Sequence, residues 1–365
     1  MRILTRYVFR EFCAPLAYCL TGFISIYVLF ELFGSFSRLM AAKPGFQKSV
    51  EYMAGYIAPY FEWIAPACLM LATLYTMWSF CRHSELIAMR ASGIGFFAIV
   101  KPLLVAAALM AVFVAWVNES YVPRRAQWAK QFRAARFEED KMERSEGIVY
   151  HNSEAGRTWT VGMVMTPDAH ALEDVTVDVR GKDGKPSMEI KARRVEYMDG
   201  QWLFVSPNVT FRNEKGEEMP PPASDLDKLT IRTFPGFNED PYDFLLQNRE
   251  WAFCSVADKL RYLKTHPAIS PEARRDYEYD IYSKIVSPLA CLIITLFAIP
   301  AGVATGRQSV FKGIVGALGM FFAFYGLSIL FMIFAKRGLC PPLLAAVLPD
   351  IVFFGIGGYL FWRQR

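Results

Sequence analysis

The hydrophobic positions of this chain fall into two blocks. Residues 1–118 and 280–365 are apolar and poor in charge, whereas residues 119–279 hold most of the Lys, Arg, Asp and Glu. A helix needs about 20 apolar residues to cross the hydrocarbon core of a bilayer. Stretches near 13–36, 56–80, 97–118, 283–304, 310–334 and 342–362 each supply such a run. The pattern predicts six transmembrane helices in a 3+3 arrangement around an inserted polar domain. Span two holds Pro59 and Pro66 with Glu62 between them, which predicts a kinked helix packed inside protein. Span four holds Pro288 and Pro300. Span five carries Gly313, Gly316 and Gly319, and ordinary close helix packing accounts for them. The first span, with no cleavage pattern ahead of it, is expected to stay in the membrane as an anchor.

The middle block switches to a period of two. Val175, Val177 and Val179 alternate with Thr176, Asp178 and Arg180, and Trp159, Val161, Met163 and Met165 share a face. Met188, Ile190 and Ala192 share another, and the phase then slips through Arg193 and Arg194 to Val195 and Tyr197, which suggests a bulge. Asp199-Gly200 ahead of Trp202-Leu203-Phe204-Val205 is a hairpin signal. Val209 with Phe211, and Leu229 with Ile231, give further strand faces. Lys182-Asp183-Gly184-Lys185 and Pro220-Pro221-Pro222 read as turns or loops. Strands at this spacing predict an antiparallel all-β domain, a sandwich, jelly roll or open barrel. Two helices follow: one capped by Ser255 and Asp258, the other opened by Ser270-Pro271-Glu272 and running toward span four.

Charge sets the orientation. Arg2, Arg6, Arg10, Arg82, Arg90, Lys101, Arg307, Lys312, Arg363 and Arg365 fall on one side of the six spans. Arg38, Lys43, Lys48, Lys336 and Arg337 fall in the short loops of the other. The richer side is cytoplasmic, so both termini are expected in the cytoplasm and the large domain outside it. The net charge of +5 is modest and shows no dense basic run with interleaved aromatics, which makes nucleic acid a poor partner. The seven cysteines form no CxxC pair, and most sit in or beside apolar spans, where they read as small packing residues. The four histidines lack ligand spacing, so neither a metal nor a cofactor is expected.

Between spans two and three lies a short helix-forming stretch at about 81–93. Leu86, Met89 and Arg90 share a helical turn there, and Ser92-Gly93 forms a stop. A helix lying passively at the membrane interface is the plain reading. A docking helix for a soluble partner is the functional one, with Arg82, Glu85 and Arg90 as polar anchors and Leu86 and Met89 as apolar contacts. The run Ser84-Glu85-Leu86-Ile87-Ala88-Met89-Arg90-Ala91-Ser92-Gly93 resembles the signature of the lipopolysaccharide-export permeases of the LptF/LptG (YjgP/YjgQ) family. Ile64-Ala65-Pro66-Ala67-Cys68-Leu69 resembles that family's second span, and Ser283-Lys284-Ile285-Val286-Ser287-Pro288-Leu289 the entry to its fourth.

The resemblance covers essentially the whole chain and divides it into three parts. These are residues 1–118 with spans one to three and the coupling helix, residues 119–279 as a periplasmic β-jelly-roll-like domain with flanking helices, and residues 280–365 with spans four to six. It implies a multi-pass permease subunit of an ABC-type exporter in the bacterial inner membrane. A second permease of the family, in a heterodimer, and a cytoplasmic ABC ATPase dimer are the implied partners. A periplasmic jelly-roll bridge protein would receive lipopolysaccharide or a related glycolipid.

The residues fit that division of labour. No GxxxxGK[ST] loop occurs, so energy must come from a partner. No nucleophile elbow, HExxH or carboxylate pair points to catalysis either. Glu31 deep in span one is costly in lipid unless it meets a polar neighbour, and Arg38 and Lys43 follow at the outer end. These three are candidate head-group contacts, since basic side chains suit phosphate, although snorkelling at a helix end serves equally. The family's basic positions near this place are not matched, because Gly34-Ser35-Phe36-Ser37 stands there. Trp159, Val161, Trp202 and Phe204 are candidates for an acyl path between splayed sheets, or simply for a core. The alternatives are a mechanotransmitting ABC subunit, which needs no lipid path, and an ion-driven secondary transporter, which needs intramembrane acids beyond Glu31 and Glu62.

Overall fold

The computed structural model describes residues 2–42, 45–137, 148–152, 155–164, 169–180, 186–212, 218–219, 231–247, 250–266, 269–305 and 310–363. The chain forms two compact units, Met1–Phe137 with Ser270–Arg365, and Glu138–Ile269. The predicted turns at 182–185 and 220–222, and the positions Met165 and Leu229, lie outside the described residues.

Among the described residues of the first unit, six helical runs are long and apolar enough to cross a membrane. In chain order the helices are α1 (Arg2–Ala42), α2 (Phe46–Ile57), α3 (Phe61–Arg82), α4 (Glu85–Ala91), α5 (Phe96–Trp116) and α6 (Val122–Phe137). Two further short helices, α7 (Pro241–Gln247) and α8 (Val256–Thr265), belong to the second unit. The first unit resumes with α9 (Pro271–Val286), α10 (Ala290–Thr305), α11 (Val310–Lys336) and α12 (Pro342–Arg363).

Two of the four prolines noted in spans two and four break their helices, and Pro66 and Pro300 lie inside α3 and α10. A 3₁₀ turn at Ala58–Tyr60, holding Pro59, separates α2 from α3, and another at Ser287–Leu289, holding Pro288, separates α9 from α10. A ring without an N–H removes one rung of the α ladder, and at Pro59 and Pro288 the helix gives way to the tighter turn. Each pair still forms one helical passage, and Phe46–Arg82 alone runs 37 residues. At 1.5 Å per residue that is about 55 Å, well beyond the roughly 30 Å hydrocarbon core. The third passage likewise continues beyond residue 118 through a π-turn at Val117–Tyr121 into α6.

Packing ranks the spans. In the best apolar window of the passage containing α3, 72% of residues are buried, against 6% for α1 and 11% for α11. The α3–α10 contact forms the centre: a Cβ on Gly302 would stand 2.7 Å from Met77 Cβ, so no larger residue fits that crossing. Gly55 does the same for α2 against α6, where an added Cβ would meet the Arg125 carbonyl at 2.6 Å. Both are small residues that let two helix backbones approach.

The second unit is built on one antiparallel sheet with the order β1-β2-β3-β4-β5-β8. Its strands are β1 (Ile148–Asn152), β2 (Arg157–Val164), β3 (Ala171–Arg180), β4 (Pro186–Met198), β5 (Gln201–Val205), β6 (Asn208–Arg212), β7 (Glu218–Met219) and β8 (Ile231–Thr233). The Asp199-Gly200 hairpin is present: both residues have positive φ, 50° and 79°, and Met198 pairs with Gln201. That is the type I′ geometry whose twist suits a two-residue connection.

The phase slip in β4 is real, but its cause differs from a bulge. β3 and β4 keep one register across it, Glu173 opposite Arg194 and Val175 opposite Ala192. Instead a crease crosses several strands. Asp174 takes a φ of 51°, and Gly162 beside it has room for no Cβ, which would lie 2.8 Å from Asp174 Cβ. On the far side of β4 the partner changes from β5 to β6 around Ser206, whose φ is 49°. Burial therefore flips phase in β3 and β4 together: Leu172 and Val175 are buried in one, Val195 and Ala192 in the other.

Candidate coupling helix and lipid sites

The α4 helix owes its shape to its two ends. Ser84 turns the chain with a φ of 61°, and its carbonyl then accepts from Ala88 N–H at 3.0 Å to start α4. Gly93, with a φ of 83°, donates to the Arg90 carbonyl, and Ile94 N–H donates to the Met89 carbonyl, so the last carbonyls are capped. This is the glycine stop expected from the sequence.

Four of the five candidate coupling residues lie in α4 and the fifth, Arg82, ends α3, but they point different ways. Leu86 is buried in a cluster with Val8, Phe12, Phe80 and Phe96, and Met89 is half-buried against it. Those two seat α4 on α1, α3 and α5. Arg82 and Arg90 are exposed, and Arg82 lies over the Trp78 ring with its guanidinium carbon 4.9 Å from the centroid. Glu85 is half-buried and accepts a hydrogen bond from the Tyr7 hydroxyl of α1 at 2.7 Å. The Tyr7 ring stacks on Phe80 at 6.0 Å. The exposed surface here thus presents Ile87 and Arg90 of α4, with Ile87 62% exposed, and Arg82 at the end of α3. Sequence reading missed Ile87, whose signal was an apolar residue on the polar side of a short helix, and Tyr7, which carries no local signal.

The head-group candidates separate. The Arg38 side chain and Lys43 lie outside the described residues. Glu31 is 4% exposed and accepts from the Tyr52 hydroxyl at 2.6 Å. Arg133 Nη1 stands 3.7 Å from the same Oε1. Glu31 therefore joins α1 to α2 and α6, and Tyr52 belongs to a row of rings with Tyr56 and Tyr60 that Tyr27 and Phe132 also contact. Nearby, Arg125 pairs with Glu51 across the α2–α6 contact. Arg133 is the basic group the sequence reading did not bring to Glu31.

The four acyl-path candidates come together in one aromatic core. Trp159, Val161, Trp202 and Phe204 are each at most 1% exposed. Trp159 stands 5.4 Å from Trp202 and 5.7 Å from Phe204, and it meets Phe237 at 5.6 Å and Phe244 at 5.2 Å. Of the two arrangements the sequence left open, these residues form a packed core: Phe237 and Phe244, from the segment around α7, fill the space over the sheet. An acyl chain entering here has to displace those rings.

That covering segment is held by charge. Arg157 Nε lies 2.9 Å from Glu239 Oε1, with both side chains buried, and its Nη2 donates to the Gly236 carbonyl at 2.6 Å. Asn152 Nδ2 donates to Glu239 at 3.1 Å, and Trp202 Nε1 donates to the Glu239 carbonyl at 2.8 Å. Arg261 of α8 bonds Asp240 at 2.8 Å and Asp243 at 2.7 Å. Burial pushes the Asp243 carboxyl up in spite of Arg261. Burial also raises Asp240, but the Arg261 and Tyr242 N–H bonds outweigh it and hold that carboxyl low. Burial holds His266 below its ordinary value, where it stacks on Tyr262 at 4.2 Å.

A groove of about 570 Å³ opens between α1, α3 and α11. Its walls include Pro15, Tyr18, Leu71, Leu74, Tyr75 and Ile314, with Glu11 at its edge. The two least buried spans thus border a concave apolar surface in the membrane unit.

Among the described residues no three His, Cys, Asp or Glu side chains are grouped to hold a metal ion. A family model described as lipopolysaccharide export system permease LptF/LptG matches residues 6–363. No curated protein matches the chain.

Proposed function

The chain belongs to the lipopolysaccharide export system permease family LptF/LptG, and from that premise we propose that it is the transmembrane subunit of an ABC-type exporter that draws lipopolysaccharide out of the inner membrane and hands it to a periplasmic bridge. It is a multi-pass inner-membrane permease subunit with six apolar helices and an antiparallel sheet domain. The match across residues 6–363 carries the reading, because it takes in both membrane halves and the inserted sheet.

The finer assignments rest on the geometry. A second permease of the family packs against α1 and α11, whose exposed apolar surfaces, Phe30 and Phe33 on one and Phe322 on the other, want a protein or lipid neighbour. The groove between α1, α3 and α11 is the entry for acyl chains, which gain about 0.8 kcal/mol per buried CH₂. A cytoplasmic ATPase dimer docks on the exposed face of α4 through Ile87 and Arg90, with Arg82 at the end of α3 beside them. Glu85 passes its movement to α1 through Tyr7. Both termini are cytoplasmic and the sheet domain is periplasmic.

In the sheet domain, lipid transfer requires the segment carrying Phe237 and Phe244 to move off Trp159, Trp202 and Phe204. The Arg157–Glu239 pair is then the latch of the acyl path. The closed core also fits a mechanotransmitting subunit whose outer domain moves without taking lipid.

The test of the overall reading is copurification. The full chain, expressed with a second family permease and an ATPase of the same genome, should purify as a complex and release lipopolysaccharide from proteoliposomes only with ATP. Failure to recover the ATPase with the chain contradicts the ABC reading.

A further inference from the structure

Inside the membrane unit, α3, α9, α11 and α12 surround a cavity of about 200 Å³. Its walls carry three carboxyl side chains, Glu62, Asp280 and Asp350, and the hydroxyls of Ser283, Ser287 and Ser328. The other titratable groups on it are Tyr279 and Tyr325, and no Lys, Arg or His lines it among the described residues. Two of the acids are engaged: Asn118 Nδ2 donates to Glu62 at 3.1 Å, and Asp280 makes a polar interaction of its own.

Asp350 differs from both. It is 9% exposed, and its Oδ2 has no hydrogen-bond partner. It lies eight residues into α12, whose first residue is Pro342, so about 12 Å along the helix axis from that end. A carboxylate at such depth is costly unless a positive charge stands beside it. The side chains around the cavity offer none.

We propose that this cavity binds one small monovalent cation, with Asp350 as its anionic ligand and serine hydroxyls and water completing the shell. One uncommitted carboxylate matches a single positive charge. Calcium and magnesium draw on more carboxylates or stricter geometry than this, and the three carboxyls on the walls are not grouped so that together they could hold a metal ion. Space is sufficient, since a water occupies about 30 Å³ and the cavity holds several. Ser328 spends its hydroxyl proton on the Phe324 carbonyl at 2.9 Å, which leaves its oxygen lone pairs to face a cation. The bound ion neutralises the contact of α12 with α9, α10 and α11, and so holds the last span in place.

Equilibrium dialysis of the full-length chain, purified with its partner subunits, tests this with radiolabelled sodium in a choline background. Wild type should bind sodium saturably, and Asp350→Asn should lose about tenfold or more in affinity. Ser328→Ala keeps the carboxylate and should weaken binding several-fold, which preserves the test if Asp350→Asn does not fold. The proposal is overturned if wild type shows no saturable sodium binding. It is equally overturned if sodium binding is unchanged in both variants. If wild type binds no sodium and is instead stabilised by acid in a manner that Asp350→Asn abolishes, Asp350 is a protonated carboxyl and the cation site does not exist.

Discussion

The Tyr7 hydroxyl of α1 donates to Glu85 of α4 at 2.7 Å, across 78 positions of sequence. This bond links the least buried span to the short helix between α3 and α5, and it gives α4 a route by which a push on its outer face reaches α1. Hydrogen bonds to charged groups contribute about 1.5–3 kcal/mol when well formed, and less where water competes, as it does here. Tyr7→Phe should therefore leave the complex assembled but reduce the lipid released per ATP hydrolysed. Paired assays of phosphate production and lipopolysaccharide release check this. Unchanged stoichiometry in Tyr7→Phe removes the link from the account.

Arg90→Ala and Glu85→Gln probe two parts of the same helix, the exposed face that carries Arg90 and the bond from Glu85 to α1. Truncating a charged interface anchor costs about 2–5 kcal/mol when its partner is left buried. The expected result is loss of ATPase from the purified complex with Arg90→Ala, and milder loss with Glu85→Gln. Ile87→Asp should act like Arg90→Ala. Full ATPase recovery with both Arg90→Ala and Ile87→Asp would place the docking surface elsewhere.

Glu239→Gln tests the latch. It leaves Arg157 buried without its anionic partner, and breaking one side of a buried pair costs about 3–5 kcal/mol. Limited proteolysis should cut the segment around Phe237 and Phe244 faster in Glu239→Gln than in wild type. Equal cleavage rates would mean that Arg157 and Glu239 do not hold it.

The sheet unit should lose stability on mild acidification. Burial depresses His266, so its unfolded form binds a proton at a higher pH than the folded one. Stability then falls as pH drops from the ordinary histidine value of about 6.5 toward the lower folded value. Asp243, raised by burial, works in the opposite sense, its folded form taking up protons first as pH falls toward the carboxylate range. Asp240, held low by Arg261, adds a loss nearer the acid end. Near pH 6 the histidine effect should dominate, and His266→Gln should flatten the stability profile there. Denaturation followed by tryptophan fluorescence between pH 5 and 7.5 measures it, and an unchanged slope in His266→Gln would refute the assignment.

Much of the architecture was legible because it rests on local signals. Apolar runs mark the spans, Pro59 and Pro288 mark the breaks, and Asp199-Gly200 marks the hairpin. The crease was legible only as a slipped phase at Arg193 and Arg194, since its origin lies in Asp174 and Gly162 of neighbouring strands. Period-two reading also found Trp159, Val161, Trp202 and Phe204 on one face. It gave no sign that Phe237 and Phe244 would cover them, because that depends on a loop held by Arg157 and Glu239. Pairings such as Tyr52 and Arg133 on Glu31, or Tyr7 on Glu85, join elements far apart in sequence and leave no periodic trace. Asp350 follows a proline in an otherwise apolar span, and only the cavity around it sets it apart.

The most direct test of lipid passage places a photo-crosslinking amino acid at Trp159 or Phe204 of the full chain. The chain is reconstituted with a second family permease and the ATPase in proteoliposomes that contain lipopolysaccharide. The account predicts lipopolysaccharide adducts on the sheet unit that accumulate with ATP and are absent without it. Glu239→Gln should raise them by loosening the covering segment. Absence of adducts at these and the other inward-facing positions while ATP is being hydrolysed would contradict it, and would leave the sheet unit as a docking platform.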